Sequence, residues 1–487
     1  MPPFLLLLLL LVLLALRGAP AAAAAYPACG AAKFSRNMSG VEVAGLALAP
    51  AATDATSCLA ACCAAAAPQC SVWQWCPGGL ECGAAPGCWL GALGGATAQR
   101  AGWVSFATPS DCRDPLVRPF SADTVWNVAV GEQAAFAPAH LFPDGASPSQ
   151  IFVDEDFFAV ARDTDPLIPW YEQGWNCTPN CALMPWAPFV ESVRWPEPFL
   201  ITPNGNNAFA LLQPDGDSLF RMYFNEKPRA TPHSAHLNTN PLPGVTAPIP
   251  TPTVTQPAYH CVVGGPLLSM NLTTEQRTAA GSLRGNGNLG GHGGSDLSAR
   301  GGALRVGELL PGAESPGPLH ALKLELWAKQ YYFGTAFGAN ASTCFRWPAA
   351  TCDGYFADPQ LYNGSDPRLV PGALLALTAD GYAGLALATA PAKQLAWTLR
   401  NFGGYLVDDT YSNQLTFAAE RGFQQGFAYA WGFEFGSNPA SPGAGAAFYA
   451  DVLAIARALM IVDSNSAAAP GGSGTPLQPP PPGFCEY

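Results

Sequence analysis

Two of the chain's six histidines, an arginine and a glutamate fall within one glycine-rich segment, residues 285–327. They are His292, Arg305, Glu308 and His320. A neutral imidazole can accept a proton near physiological pH, a guanidinium can neutralise a substrate carboxylate, and a carboxylic acid can transfer protons. Repeated glycines favour a backbone that turns at positive φ or lies close to another group. We therefore predict that a functional site lies in this segment.

The stretch LHALKLELW reads as a β-strand with His320 near its start. Strand alternation puts His320 on the same face as Leu322, Leu324 and Leu326, and it puts Lys323 on the opposite face with Glu325. Two interpretations stay open. His320 is either a core histidine satisfied by one neighbour, or a base on the floor of a concave cleft.

Arg305 and Glu308 lie in GALRVGEL, where a flat strand would point them to opposite faces. A bulge at Gly307 would let both serve one site. Without a bulge, one of the two is a solvated charge.

The most marked acidic pair is Asp408–Asp409, which follows the strand-like run YLV that begins at Tyr405. Neighbouring strand residues point to opposite faces, so the two carboxylates do not act on each other. One of them could act with a distant acid, because glycoside hydrolysis needs two carboxylates that flank the bond. Alternatively, the pair caps the following loop or holds a structural calcium ion.

Aromatic rings and polar side chains along the chain supply candidates for sugar contact, because Trp faces stack on pyranose rings. The predicted substrate-binding residues are Trp126, Asn127, Lys323 and Trp347. The histidines His233 and His236 have no further ligands at a metal-binding spacing, so no metal site is predicted.

Short apolar runs separated by Pro and Gly dominate the chain beyond Cys112, and this pattern is typical of a β-sandwich or jelly roll. Two windows have helical periodicity, PAKQLAWTLRNFGG and GAAFYADVLAIARALM. Each is followed by a strand-like run, YLVDD or IVDSN. The predicted fold class is therefore mainly β with a few helices.

Length and composition set the domain plan. The chain has 487 residues, a net charge of −12 and only 23 Lys and Arg, which argues against nucleic-acid binding. Residues 1–25 read as a secretory signal peptide, and no later segment is apolar enough for a membrane span. We predict a disulfide-rich domain over residues 26–112, a β-sandwich over 113–466 and a disordered Pro/Gly-rich tail over 467–487.

Fifteen cysteines in an exported chain predict disulfides rather than metal thiolates. The odd count leaves one thiol over, and Cys485 in the tail is the candidate. Five glycosylation sequons fit the same export route, at Asn37, Asn176, Asn271, Asn340 and Asn363. The cysteines predicted to form disulfides are Cys29, Cys58, Cys62, Cys63, Cys70, Cys76, Cys82, Cys88, Cys112, Cys177, Cys181, Cys261, Cys344 and Cys352.

The N-terminal cysteine pattern carries a resemblance. C-x3-C-C, a C-x-x-W-x-W stretch and a closing C-W-L between Cys29 and Ala107 resemble the PAN/apple-like module. In the same segment TDATSCLAACCAAA predicts a helix and SVWQW a strand. The resemblance implies a recognition module for proteins or carbohydrates without catalysis. The three extra cysteines leave the pairing undetermined, and a spacer without a ligand is the other interpretation.

From Arg113 to about Asn465 the chain resembles a group of exported, largely uncharacterised proteins found mainly in bacteria. The motifs that carry this resemblance, in order, are FSADTVWN, GHGGSDLSARGGALRVGEL, LHALKL, FRWPA, CDGYFAD, LAWTLRNFGGYLVDDT and IVDSN. The resemblance implies an extracellular β-rich fold that acts on or binds a polysaccharide.

The sequence thus favours a secreted carbohydrate-active protein that cleaves a polysaccharide. In elimination, Arg305 would hold the substrate carboxylate while His320 or a tyrosine such as Tyr405 removed a proton. In hydrolysis, Glu308 and Asp408 would be the two acids. The alternative is a non-catalytic adhesion or matrix protein that binds glycans or proteins. The criterion is whether His292, His320 and an acid or arginine open into one cleft.

Overall fold

The computed structural model describes residues 316–484 without interruption, 280–311, and 118–173 apart from 144. It also describes the segments 36–37, 41–43, 46–64, 72–76, 86–91, 97–99, 104–107, 113, 115–116, 189–194, 208–216, 218–223 and 260–263. No helix within this part of the chain is both long and apolar enough to cross a membrane.

Several predictions of the sequence fall outside the described residues. They are the signal segment 1–25, Cys29, Cys70, Cys82, Cys112, Asn176, Cys177, Cys181, His233, His236, Asn271 and Cys485.

Twenty β-strands are described. In chain order, β1 to β10 are Arg36–Asn37, Val41–Val43, Ala47–Leu48, Val72–Cys76, Gly87–Gly91, Thr97–Gln99, Val104–Ala107, Phe136–Pro138, Gln150–Val160 and Leu167–Gln173. Strands β11 to β20 are Phe189–Arg194, Ala208–Leu212, Ser218–Tyr223, His260–Val263, Ala280–Ser282, Leu322–Leu326, Leu374–Leu377, Gly404–Asp409, Gln414–Glu420 and Leu459–Val462.

Six described α-helices accompany the strands. Helices α1 to α6 are Ala55–Ala64, Ala328–Tyr331, Ala379–Ala383, Ala390–Asn401, Phe423–Trp431 and Ala444–Ala458. The predominance of strands confirms the mainly-β prediction. Helices α4 and α6 and strands β16, β18 and β20 lie where the sequence patterns predict them.

The cysteine-rich segment forms a small antiparallel sheet with one helix beside it. Strands β1, β7, β4, β5 and β3 pair in that order, and α1 packs against β4 and β5. Cys58 of α1 is bonded to Cys88 of β5, and Cys62 and Cys76 are also disulfide-bonded. Trp73 and Trp75 share the buried core with these sulfurs, so the sulfurs and two indole rings make up most of a small apolar core.

A 13-stranded mixed sheet organises the rest of the chain, in the order β11-β10-β14-β13-β12-β9-β19-β16-β18-β17-β20-β8, with β15 paired to β13. Leu322, Leu324 and Leu326 of β16 pack in one core with Leu395 of α4 and Val452 of α6. The helices therefore cover one face of this sheet. Strand alternation sends the residues between those leucines to the other face.

The opposite face of the sheet carries the polar residues. Asp154 and Asp156 of β9 alternate with Ile151 and Val153 of the helix-side core, so their side chains leave from the far face. The side chains of Lys323 and Glu325 in β16 also point to the far face of the sheet. The glycine-rich loop lies over this face, since Ser295 N donates to Val407 O of β18 at 3.1 Å.

The C-terminal segment from residue 467 differs from the predicted disordered tail. The backbone N–H of Gly131 donates to Gly471 O, and that of Gln133 donates to Ser473 O. A Cβ built on Gly131 would lie 2.2 Å from Ser473 O, so glycine allows the two chains to approach this closely. Residues 467–484 are therefore held by backbone hydrogen bonds rather than by a pattern of apolar side chains.

Candidate functional site

His292 lies in a loop that folds back on itself. Its backbone N–H donates to Leu297 O at 2.9 Å, and Gly290 N donates to Asp296 O at 2.8 Å. Gly290 and Gly291 have φ of 111° and 95°, values that L side chains rarely adopt. These glycines let the loop turn tightly enough to bring an imidazole against the sheet.

The imidazole of His292 is fully buried among four carboxylates. Nε2 lies 3.6 Å from Asp156 Oδ1, 3.7 Å from Glu325 Oε1 and 3.9 Å from Asp154 Oδ2. Nδ1 lies 3.8 Å from Asp408 Oδ2. Neither ring nitrogen has a hydrogen-bond partner among the described residues, nor does Glu325 Oε1 or Asp156 Oδ1. We call these five residues the His292 cluster.

Three strands place the carboxylates of the His292 cluster. Asp154 and Asp156 come from β9, Glu325 from β16 and Asp408 from β18. The pairing of β16 with β18 shifts between Leu324 and Glu325, so that Glu325 lies opposite Asp408 rather than Val407. This irregularity turns the Asp408 side chain toward the same face as Glu325.

Crowding and burial perturb these acids. Burial, followed by repulsion from Asp154, Asp408 and Asp156, raises the pKa of Glu325 well above its usual value. Burial raises the pKa of Asp156 to about 7, even though Lys323 lowers it. The pKa of His292 is far below its usual value, because burial and then the charge of Lys323 oppose protonation.

A second acid, Asp353, approaches Asp408 across Gly294. A Cβ built on Gly294, whose φ is +61°, would lie 2.8 Å from Asp408 Oδ1 and 3.2 Å from Asp353 Oδ1. The missing side chain therefore leaves, between the two carboxylates, a gap that is smaller than a methyl group, and glycine lets the loop backbone lie close to both acids. Burial raises the pKa of Asp353 to about 7, although the hydrogen bond donated by Tyr362 lowers it.

Two tyrosines lie between the neighbouring acid Asp409 and the protein surface. Tyr355 is half-buried, donates to Asp409 Oδ2 at 3.2 Å, and contacts Tyr411 with ring centroids 5.2 Å apart. Tyr411 is 64% exposed. Asp409 also accepts from the backbone N–H groups of Ala328 and Tyr411, at 2.8 and 3.0 Å. Asp409 is thus a loop and helix cap, one of the alternatives that the sequence left open.

His320 belongs to a different polar cluster. Its Nε2 lies 3.0 and 3.1 Å from the two oxygens of Glu308, and its Nδ1 lies 2.8 Å from Ala321 O. Glu308 Oε2 accepts from Arg305 N at 2.8 Å, and Arg305 Nη1 is 3.9 Å from Oε1. Gly307, with φ of 93°, provides the turn that brings Arg305 and Glu308 together. The two imidazoles therefore face different carboxylates, and the cleft shared by His292 and His320, which was the criterion for an enzyme, is not formed.

Most of the predicted substrate-binding residues lie in the interior. Trp126 is 1% exposed and donates to Gly287 O at 2.8 Å, and Asn127 donates to Pro119 O at 2.9 Å. Lys323 is fully buried and donates to Asp156. Trp347 packs against the core beneath the loop and is partly exposed. None of the three buried side chains offers a face to a polysaccharide.

Of the predicted catalytic residues, the structure brings His292 together with Asp408. Tyr405 is buried, its hydroxyl lies 3.5 Å from Asn465 Oδ1, and burial raises its pKa. Sequence reasoning missed Asp154, Asp156, Glu325 and Asp353. The available signal was charge inside strand-length apolar runs, as in VDEDFF and LKLEL, because such residues share a face at every second position.

Comparison with known proteins adds no family assignment. No protein-family model matches the chain, no curated protein matches its sequence, and no solved structure matches its fold.

Proposed function

We propose that this protein is a secreted carbohydrate-active enzyme that cleaves a polysaccharide by hydrolysis, with Asp353 and Asp408, which face the gap at Gly294 next to His292, as its two acids. Both acids are buried, so the substrate would reach them from the side of the exposed Tyr411. The observation that carries the proposal is the convergence of these acids on the space at Gly294, where no side chain intervenes. Two carboxylates facing one gap are the arrangement that glycoside hydrolysis requires.

The charges near the gap favour hydrolysis over elimination. Elimination next to a uronate needs a cation to neutralise the substrate carboxylate. Lys323 is engaged by Asp156, and Arg305 lies against Glu308. His320, the predicted base, has both ring nitrogens occupied. Hydrolysis requires only carboxylic acids, and Asp353 and Asp408 both face this gap.

The spacing of the two acids lies below the range of inverting enzymes, which favours retention of configuration. Their nearest oxygens are at most about 6 Å apart, the sum of the 3.2 and 2.8 Å distances to the Gly294 Cβ position. Retaining glycosidases hold their carboxyl groups about 5–5.5 Å apart, and inverting ones about 6.5–9.5 Å apart. One acid would protonate the leaving oxygen while the other attacked the anomeric carbon. Water would then release the sugar with retained configuration.

The aromatic pair Tyr355–Tyr411 supports a sugar substrate. Tyr411 exposes most of its ring, and Tyr355 joins it to Asp409. Tyrosine faces stack on the apolar faces of pyranose rings. The pair would therefore receive one sugar residue beside the acids.

Export and recognition complete the proposal. The disulfides Cys58–Cys88 and Cys344–Cys352 support an oxidising compartment, in line with a signal peptide over residues 1–25. The single described helix tied to a small antiparallel sheet supports an apple-like recognition module over residues 26–112. We also propose that residues 113–466 form a β-sandwich. The protein would be extracellular or held in the cell wall, and its partner would be a glycan or a glycoprotein.

A non-catalytic glycan-binding or adhesion protein is the second candidate. It is favoured by Tyr429 and Tyr411, which are 72% and 64% exposed and could stack on sugars without chemistry. Such a protein would hold a glycan and leave it intact.

The test is incubation of the purified full chain with neutral and uronate-containing polysaccharides. New reducing ends report hydrolysis, and ultraviolet absorbance of unsaturated ends reports elimination. We expect reducing ends without unsaturated ends, and their loss in D408N and D353N. The exposed Glu434 provides the matched control, E434Q. Silence in both assays, together with retention on a glycan column, would replace the enzyme by the binder.

A further inference from the structure

Buried polar atoms without partners point to a ligand at the His292 cluster. His292 Nε2, Glu325 Oε1 and Asp156 Oδ1 are buried and have no hydrogen-bond partner among the described residues. Buried polar atoms are nearly always satisfied, because an unpaired one costs about 1–3 kcal/mol. The two oxygens lie 3.6 and 3.7 Å from the imidazole nitrogen, and such a group of unpaired atoms indicates that something else binds there.

We propose that Asp154, His292 and Glu325 bind a divalent transition-metal ion of the Zn²⁺ or Mn²⁺ type, with Asp156 as an additional ligand. One ligand atom from each of Asp154, His292 and Glu325 lies within 4.8 Å of the other two. The inference shares the site of the proposed function but does not depend on that activity.

The separations fit a small cation. The Nε2 atom of His292 is 3.6 to 3.9 Å from the three carboxylate oxygens. Ligand atoms in a tetrahedral zinc site are about 3.4 Å apart, given bonds of about 2.0–2.1 Å. The nitrogen–oxygen separations thus exceed the zinc value by a few tenths of an ångström, and the carboxylate oxygens, which lie within 4.8 Å of each other, would draw closer on binding. An imidazole among carboxylates selects Zn²⁺ or Mn²⁺ over Ca²⁺, which takes oxygen ligands.

The charge also fits a dication. Asp156 is already paired with Lys323 through its Oδ2, whereas Asp154 and Glu325 have no described ion pair with a lysine or arginine. Asp154 and the buried Glu325 carry like charges, which repel each other more strongly in a protein interior than in water. One divalent ion would balance both, and it would also satisfy the imidazole that lies between them.

Asp408 would orient the histidine ligand. It lies 3.8 Å from Nδ1, on the side of the ring away from Asp154 and Glu325. Metal-binding histidines commonly donate their second N–H to a carboxylate, which fixes the ring. Asp408 is a positioning residue in this arrangement. Asp154, whose side chain is 21% exposed, offers the route of entry.

The first experiment is calorimetric titration of the chelator-treated full chain with Zn²⁺, Mn²⁺, Ca²⁺ and Mg²⁺, each alone. We expect one equivalent of Zn²⁺ or Mn²⁺ per chain. H292Q and E325Q should weaken binding by more than about 100-fold, and D408N by about 10–100-fold, because outer-shell partners contribute that much. E434Q should bind as the parent does.

A second measurement needs no variant. Pulsed electron paramagnetic resonance of Mn²⁺ bound to the wild-type chain should detect coupling to one imidazole nitrogen. Absence of stoichiometric Zn²⁺ and Mn²⁺ binding, or Mn²⁺ bound without nitrogen coupling, would overturn the inference. Equal affinity of Zn²⁺ for the parent and H292Q would do the same.

The outcome for the metal is separable from that for the enzyme. Binding is measured without any polysaccharide, so a silent activity assay leaves the metal result intact. Conversely, reducing ends formed by chelator-treated protein, together with no cation binding, would remove the metal and keep the hydrolase.

Discussion

Glu325 Oε1 lies 3.7 Å from His292 Nε2, and neither atom has a hydrogen-bond partner among the described residues. The glutamate comes from the middle of β16, and the histidine comes from the glycine-rich loop above the sheet. An interior position of this kind contributes little to stability by itself. It is instead the arrangement expected of a site that is completed by a ligand.

The first prediction concerns the cost of leaving Glu325 among other acids. In chelator-treated protein at neutral pH, E325Q should raise the melting temperature. Burial and nearby acids raise the pKa of Glu325, so folding disfavours its ionised form, and glutamine carries no such cost. A gain of about 1 kcal/mol corresponds to roughly 1–2 °C for a domain of about 350 residues. Differential scanning calorimetry measures it. With Zn²⁺ or Mn²⁺ added, the order should reverse, since only the parent gains from binding. An E325Q chain that melts lower than the parent under both conditions would contradict the prediction.

The second prediction tests the gap at Gly294. In G294A the added methyl would lie 2.8 Å from Asp408 Oδ1 at a backbone φ of +61°. We expect loss of polysaccharide cleavage and a modest loss of stability, on the order of 1 kcal/mol, from the strained backbone. Gly216, with φ of +72° and open space around its Cβ position, provides the control G216A. Equal loss of cleavage in both variants would mean that strain, rather than the filled gap, is responsible.

The third prediction concerns the sugar platform. Y411A should raise KM by about 10-fold, which corresponds to roughly 1.4 kcal/mol of lost stacking, while leaving kcat within a factor of two or so. Its melting temperature should stay near that of the parent, because Tyr411 is 64% exposed. Y429A removes an even more exposed ring on α5 and serves as the control. A raised KM in Y429A but not in Y411A would move the platform to α5.

The fourth prediction is a pH dependence at the second polar cluster. Burial opposes ionisation of Glu308, but His320, Arg305 and a backbone hydrogen bond outweigh it and hold its pKa below the usual value. A lowered carboxyl pKa stabilises the fold above the unfolded-state pKa, and this contribution disappears as the pH falls through the folded-state pKa. Thermal melts should therefore favour the parent over E308Q at neutral pH. The difference should shrink below about pH 4.5, the region of an ordinary glutamate. A constant difference across that range would exclude linkage to Glu308.

The fifth prediction concerns the buried pair Lys323–Asp156. K323M should destabilise the fold by about 3–5 kcal/mol, because it leaves the Asp156 carboxylate buried without its cation. The double variant K323M/D156N should recover most of that loss, since it removes the stranded charge. Chemical denaturation of the three proteins measures both steps. If the double variant is no more stable than K323M, the lysine acts through packing and not through charge.

The local pattern of the sequence predicted much of the fold. Strict alternation predicted that Leu322, Leu324 and Leu326 share one face of β16, and they pack against the helices as that pattern requires. Helical periodicity placed α4 and α6, since residues three and four positions apart must share a face. The same reasoning put Asp408 on a strand and His292 in a glycine-rich loop.

The membership of the site was decided by tertiary structure. Asp154 and Glu325 are 171 positions apart in the sequence, and they meet because β9 and β16 both pair with β19. Tertiary structure also decided that His292 and His320 belong to different clusters, because glycine turns direct the two parts of their segment to different places. One loop carries both residues, but Gly307 turns Arg305 and Glu308 toward His320, while Gly290 and Gly291 turn His292 toward the sheet.

The sequence by itself therefore determined the elements and the faces of their residues, because alternation and helical spacing are properties of neighbours along the chain. Only the tertiary structure decided which carboxylates surround His292. Strand order, the shifted register beside Glu325 and the signs of glycine φ angles depend on packing between distant segments, and no local pattern encodes them.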